Sequence, residues 1–270
     1  MSRSPEGEPR RIVVVGGSSG IGRAVIERLG TLGAQVANLD LNATDAVARD
    51  RAAVRDIRAD LASPESVRAA FAVCDGFFGG KPPHLLVCSA AASLAGAFLE
   101  ARVEDLDTLH AVNVRGLFVV CQEASRRMRE AGGGRIVVVT SVAAFQGWQR
   151  EPLYCATKGA QDALVRAMAV ELAPFGIAVN AVAPGPLEGK SPSMISTRSD
   201  PEVLRHDLER IPQGRFGSAA EIAQAVEFAA TAPWMTGQTI VVDGGFMASG
   251  LSYFGAARAR LTATPVPPLG

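Results

Sequence analysis

Arg11-Ile-Val-Val-Val15, followed at once by Gly16-Gly-Ser-Ser-Gly20-Ile-Gly22, is the stretch from which the fold can be read. The β-branched run suits a strand. Helical spacing follows through Leu32, with Val25, Ile26 and Leu29 apolar, and Gly33 stops it. Gln35-Val-Ala-Asn-Leu39 reads as a second strand ending at Asp40. Strand, glycine loop, helix, strand and acid is the order of a dinucleotide-binding βαβ unit. Glycines let the backbone turn tightly and approach a pyrophosphate. The helix start beyond them offers unpaired N–H groups and a favourable dipole. The candidate contacts are Gly16, Ser18, Ser19, Gly20, Ile21, Gly22 and Asp40. Asp40 stands 18 residues after Gly22. A carboxylate there can accept from both adenosine ribose hydroxyls and repels a 2′-phosphate. No Lys or Arg lies inside the glycine loop, so the pattern favours NAD over NADP. Arg49, Arg51 or Arg55 could fold back toward Asp40, and Asp40 could simply cap a turn.

Working outward, the next informative stretch is Glu151-Pro-Leu-Tyr154-Cys-Ala-Thr-Lys158-Gly159. Residues through Pro174 read as a helix, with apolar or small positions at Leu153, Ala156, Ala160, Leu164, Ala167, Met168 and Leu172. Pro152 suits the first turn. Tyr154 and Lys158 then project from one face, one above the other. The ammonium is expected to favour phenolate and pull the Tyr154 pKa down from about 10, toward a range useful for proton transfer. An isolated Tyr-x-x-x-Lys is more often two ordinary residues on a helix surface; the surrounding pattern raises its weight.

Strand and helix alternate along the rest of the chain. Val54 to Ala59 reads as a third strand, Leu85-Leu-Val-Cys88 as a fourth, and Arg135-Ile-Val-Val-Val-Thr140 as a fifth of the apolar kind buried in parallel sheets. Ser141 sits at the fifth strand's carboxyl end, where ligands bind in open α/β sheets, although most strand-end serines are turn formers or caps. Gly176 to Val182 is a sixth strand, and Gln238 to Val242 a seventh. A continuous helix is expected around 104–130, with Leu106, Leu109, Asn113, Leu117, Val120 and Ala124 on its inner face. Asn113 interrupts that stripe. A buried amide must be hydrogen-bonded, either to neighbouring backbone with no chemical role or to hold water or backbone geometry at a site.

These elements imply a single doubly wound α/β domain over residues 11–247, with a mostly parallel seven-stranded sheet and helices on both faces. Residues 1–10 read as a disordered leader, 186–213 as a lid with a helical piece near 201–210, and 248–270 as a tail. The 270 residues carry a formal net charge of zero, which gives no hint of nucleic acid. No run approaches the length of a membrane span. The four cysteines, Cys74, Cys88, Cys121 and Cys155, are scattered and do not cluster with the three histidines. Free thiols in a reducing cytoplasm and no metal site are expected.

The set Gly16-x-x-x-Gly20-Ile-Gly22, Asp60-Leu61, Asn113-Val114, Ser141, Tyr154-x-x-x-Lys158, Asn180-x-Val-x-Pro-Gly185, Arg215-Phe-Gly217 and Val242-Asp-Gly-Gly245 resembles the short-chain dehydrogenase/reductase family in order and spacing, over about residues 10–247. The resemblance implies a Rossmann-like domain and an NAD-dependent oxidoreductase that interconverts a secondary alcohol and a ketone by hydride transfer. It implies Tyr154 as general acid/base, with Lys158 lowering its pKa and holding the nicotinamide ribose. Ser141 would bond the substrate oxygen, and Asn113 would support a water leading protons to Lys158. Further cofactor contacts are implied at Asp60 (against the adenine), Leu61, Ser89, Ala90, Pro184, Gly185 and Leu187, besides Tyr154 and Lys158. A homo-oligomer, a homotetramer or dimer, is implied as well. The chain departs from the family at Val15, where a Thr is usual, at Cys88-Ser-Ala-Ala91, where Asn-Asn-Ala-Gly is usual, and at Gly189, where a Thr is frequent. A 3-oxoacyl-thioester reductase and a non-redox epimerase, lyase or cyclase that retains bound cofactor stay open as alternatives. The substrate is a small molecule that the sequence does not identify.

Overall fold

A computed structural model describes residues 10–44, 53–188 and 201–249. The residues read as leader and tail, the central part of the lid, and Arg49, Arg51 and Gly189 lie largely or wholly outside that set. In chain order the elements are β1 (Arg11–Val15), α1 (Gly20–Gly30), β2 (Gln35–Asp40), β3 (Ala53–Arg58), α2 (Pro64–Phe77), β4 (Leu85–Cys88) and α3 (Val103–Leu109). A π-helical turn, His110–Gly116, leads into α4 (Leu117–Glu130) and β5 (Gly134–Val139). Then come α5 (Pro152–Leu172), β6 (Ile177–Pro184), α6 (Pro201–Glu209), α7 (Ala219–Thr231) and β7 (Thr239–Val242).

The strands form one seven-stranded sheet in the order β3-β2-β1-β4-β5-β6-β7, and every neighbouring pair is parallel. Parallel strands need crossover connections, which carry helices to both faces. The side-chain alternation of β1 shows the division. Val13 and Val15 join a core with Phe71 of α2, Val120 and Met128 of α4 and Val165 of α5. Ile12 and Val14 join one with Val25, Ile26 and Leu29 of α1 and Ile222 and Val226 of α7. Each such side chain, once fully buried, contributes roughly 1.5–3 kcal/mol of transfer free energy. The chain reverses direction across the sheet between β1 and β4, and it is beside that switch that a doubly wound sheet opens a crevice at its carboxyl edge.

One helical expectation is corrected. The helix expected around 104–130 is interrupted by the π turn. Asn113 lies within it, and Gly116 passes so close to the preceding segment that a Cβ there would stand 2.6 Å from the Leu61 carbonyl oxygen. Tertiary contacts outweigh helical regularity here. The spacing of buried residues survives, since Leu109, Asn113, Leu117, Val120 and Ala124 are all buried. On α5, Leu164, Met168 and Leu172 pack partly buried against the core. Thr157, Lys158, Gln161, Asp162, Val165 and Ala169 are buried, whereas Ala156 and Ala167 are exposed.

Candidate active site

The glycine loop closes over the end of β1. Gly16 has φ 83°, and a Cβ there would lie 2.5 Å from the Ala90 nitrogen. At Gly22 a Cβ would stand 2.1 Å from the Gly16 carbonyl oxygen. Only glycine lets α1 begin this near the strand. Gly20 has φ 52° and nothing within 4 Å of its would-be Cβ. Ser19, the N-cap of α1, makes no side-chain cap bond, and the first turn holds no acid. The first N–H groups of α1 lack an intrahelical acceptor, and the space beside Gly20 is open. A helix start without capping side chain or acid suits a pyrophosphate.

Asp40, at the end of β2, accepts from Ser18 N at 3.1 Å and from Asn42 N at 3.0 Å. It thus caps the turn and borders the cradle at once. Arg55 is exposed on β3, while Arg58, paired in register with Asp40, donates to the Leu41 carbonyl at 3.0 Å. Asn38, missed in the sequence, supports the loop from below. It is fully buried, its Oδ1 accepts from Gly17 N at 2.9 Å, and its Nδ2 donates to Ser18 Oγ and Asp56 Oδ1. An amide between the apolar residues Ala37 and Leu39 was the available signal. Asp60 is exposed and accepts from Ala62 N at 2.9 Å. Leu61 is partly buried beside it.

The departure at Val15 and Cys88-Ser-Ala-Ala91 has a structural answer. The Val15 carbonyl accepts from Ser89 N at 2.8 Å and from Ala90 N at 3.0 Å. Main-chain bonds tie β1 to the segment after β4. Gly185 N donates to the Val242 carbonyl at 2.9 Å, and Leu187 bridges to Gly217, which brings Pro184, Gly185 and Leu187 to the same carboxyl edge of the sheet.

The other side of the crevice carries the titratable groups. Ser141 follows β5, and its Oγ accepts from Ala143 N at 3.1 Å while standing near enough to the Tyr154 phenol to lower its pKa. Lys158 is 2% exposed; its Nζ donates to the Val139 carbonyl at 3.1 Å and lies 5.5 Å from the centre of the Tyr154 ring. Asn113 Oδ1 accepts from Ala92 N at 2.7 Å. Its Nδ2 donates to Ala92 O at 2.8 Å and to Thr157 Oγ1 at 3.0 Å. The buried amide is thus fully occupied in holding the segment after β4 against α5. Asn113, Ser141, Tyr154 and Lys158 are brought together.

A family model described as "Enoyl-(Acyl carrier protein) reductase" matches residues 15–247, and an L-xylulose reductase of Bos taurus is 36% identical over 245 residues, spanning 89% of this chain and 97% of its own. The chain belongs to the short-chain dehydrogenase/reductase family. A 2-(R)-hydroxypropyl-CoM dehydrogenase of Xanthobacter autotrophicus is 36% identical over 251 residues, with 88% and 99% of the two chains covered. Among solved structures, a gluconate 5-dehydrogenase from Burkholderia cenocepacia in complex with NADP and tartrate superposes with a TM-score of 0.81 at 28% identity, over 92% of this chain and 97% of that one.

In this short-chain dehydrogenase/reductase the expected direction of the tyrosine shift is reversed. Burial pushes the Tyr154 phenol up to about 12, against a smaller lowering from Ser141, with Glu151 and Cys155 adding to the rise. Burial also brings Lys158 down to about 7. Sequence spacing shows which charge is near but not how dry the site is, and dehydration dominates both groups. Trp148 and Phe145 part company. Trp148 stacks on Phe246 with ring centres 5.5 Å apart, in a small cluster with Val142 and Ile211, while Phe145 is exposed. Cys155 is partly buried, and Cys74, Cys88 and Cys121 are buried, all as free thiols.

Proposed function

We propose that this chain is an NAD-dependent oxidoreductase that interconverts a secondary alcohol and a ketone, with Tyr154 as general acid/base. The observation that carries the reading is a half-buried phenol beside Ser141, on the same helix as a buried lysine whose Nζ lies 5.5 Å from its ring. The named relatives support the substrate class: xylulose is a ketose, and 2-hydroxypropyl and gluconate C5 each bear a secondary hydroxyl. They favour this reading over an acyl-thioester reductase.

Gly16, Ser18, Ser19, Gly20, Ile21 and Gly22 would hold the pyrophosphate. Asp40 would hold the adenosine ribose, with Asp60, Leu61, Ser89, Ala90, Pro184, Gly185 and Leu187 completing the cleft. The nicotinamide supplies or accepts the hydride when bound. The chain's own part is to hold and move a proton. With its pKa at about 12, Tyr154 rests as the acid, able to protonate a carbonyl oxygen during reduction. Ser141 is fixed by Ala143 N and polarises the same oxygen. In oxidation Tyr154 first gives up its own proton to solvent, and the phenolate then takes the hydroxyl proton; a positive charge on Lys158 favours that ionised form. The reading is tested with a panel of secondary alcohols, polyols and their ketones against NAD and NADP, read by the absorbance of the reduced nicotinamide.

Asp40→Ala is expected to weaken NAD binding about 10- to 100-fold, the worth of hydrogen bonds to a charged acceptor, and to narrow the preference over NADP by a similar factor. Dissociation constants for both cofactors measure this. An unchanged ratio would remove Asp40 from cofactor choice.

A second copy of this chain is the proposed partner, forming a dimer or tetramer. A groove of about 1120 Å³ between α3, the π turn, α4 and α5 is lined by Val114, Phe118, Ala160, Ala163, Leu164 and Ala167, and Phe118 is 47% exposed. Ala163 and Ala167 of α5 are exposed along this groove. Ala163→Arg is expected to shift the sedimenting species to a smaller assembly; an unchanged sedimentation coefficient would place the interface elsewhere.

A further inference from the structure

Gln161 lies on the inner face of α5, almost one turn beyond Lys158, and is 2% exposed. Its Oε1 accepts from Lys158 Nζ at 3.0 Å. Its Nε2 donates to the Asn113 main-chain carbonyl at 2.7 Å. The amide can sit only this way round, because an ammonium offers only donors and a carbonyl only acceptors. Val139 O takes a second Lys158 proton at 3.1 Å. An ammonium has three N–H groups, so one remains for the side of the crevice. The Asn113 side chain is already taken up by Ala92 and Thr157.

We propose that Gln161 is a positioning residue that anchors the charged form of Lys158 and fills, with its own side chain, the bridge between Lys158 and the Asn113 carbonyl that a proton-carrying water would otherwise make. The proposal rests on the reading of Tyr154 and Lys158 given above. A carboxamide keeps its protons near neutral pH, so this bridge fixes geometry without passing a proton. The resemblance implied a water supported by Asn113; here the neighbouring helix supplies a covalently tethered substitute.

The setting makes that anchor consequential. Burial is the cause that lowers Lys158, and no charged side chain offsets it. The titratable group facing it is Tyr154 on the same helix. β5 offers the Val139 carbonyl and the π turn the Asn113 carbonyl through Gln161. Ser141 and the turn Val142–Ala144 after it bring no charge. The acceptors of Val139 and Gln161 are what favours the ammonium.

The test compares Gln161→Leu and the unbranched Gln161→Met with the wild type by thermal unfolding across pH and by the pH profile of kcat. Lys158 is lowered from 10.5 to about 7 in the fold. The unfolded chain therefore binds more protons between those values, and wild-type stability rises with pH there. Losing an acceptor lowers Lys158 further, so the native variants hold fewer protons around neutrality. Their stability deficit is therefore largest on the acid side, about twofold greater near pH 6 than near pH 9. In turnover kcat falls about 10-fold with the cofactor KM within about twofold. A deficit equal at both pH values, or an unaltered kcat profile, overturns the proposal. The thermal comparison needs no turnover. A wild type that reduces nicotinamide with no alcohol would sink the catalytic reading and still leave the pH-dependent deficit to judge the Gln161–Lys158 bridge.

Discussion

Replacing Tyr154 with Phe is expected to lower kcat by about a thousandfold or more while nicotinamide binding stays within a fewfold of wild type. Phenylalanine keeps the ring, its packing and its place above Lys158, and removes only the oxygen. The phenol oxygen beside Ser141 is removed, but Ser141 keeps its bond from Ala143 N, so the local turn stays formed. The cost to stability should be about 1 kcal/mol, one ordinary hydrogen bond. Steady-state kinetics and the fluorescence of bound reduced nicotinamide separate the two effects. Turnover within tenfold of wild type would remove Tyr154 from proton transfer.

Lys158→Met is expected to lower kcat at least as far and yet leave the protein as stable as the wild type, or more so, near pH 6. Holding the buried ammonium, whose pKa falls from 10.5 to about 7, costs on the order of 5 kcal/mol on the acid side. Methionine removes that cost. It leaves the Val139 carbonyl and Gln161 Oε1 without their donor, a loss of about 1–3 kcal/mol for each. The two sides nearly cancel, with the balance toward the variant. The sign with pH is definite. Wild-type stability rises between about pH 7 and 10.5 as the folded lysine is relieved of its charge, and the variant lacks that rise. Its relative stability therefore declines toward alkaline pH. Melting temperatures across that range measure it; a variant much less stable than wild type at pH 6 would mean that the ammonium holds the fold together.

Much of the fold was legible because its signals are local. The glycine loop, the helix behind it and Asp40 occupy one short stretch, and buried parallel strands such as β5 read as unbroken apolar runs. The π turn was not legible. Its residues keep helical spacing, and what opens it is the contact of Asn113 with Ala92 and of Gly116 with Leu61, both distant in sequence. The inward face of α5 was hidden for a related reason. Thr157, Gln161 and Asp162 turn inward because Asn113, Lys158 and Thr239 offer them partners, while Ala160, Ala163 and Ala167 line the groove. A hydrophobic pattern alone does not say which of a helix's apolar positions reach the core. The candidate site was readable as a set of residue types, but the state of its groups was not, since the spacing of Tyr154 and Lys158 carries no information about dehydration.

The most direct measurement is the absorbance of reduced nicotinamide after the wild-type protein is mixed with NAD and a series of secondary alcohols and polyols. The account predicts a rise, proportional to protein, with at least one of them, and its loss in Tyr154→Phe. Retention of a stoichiometric cofactor while an isomer or elimination product accumulates with no change in absorbance would contradict it.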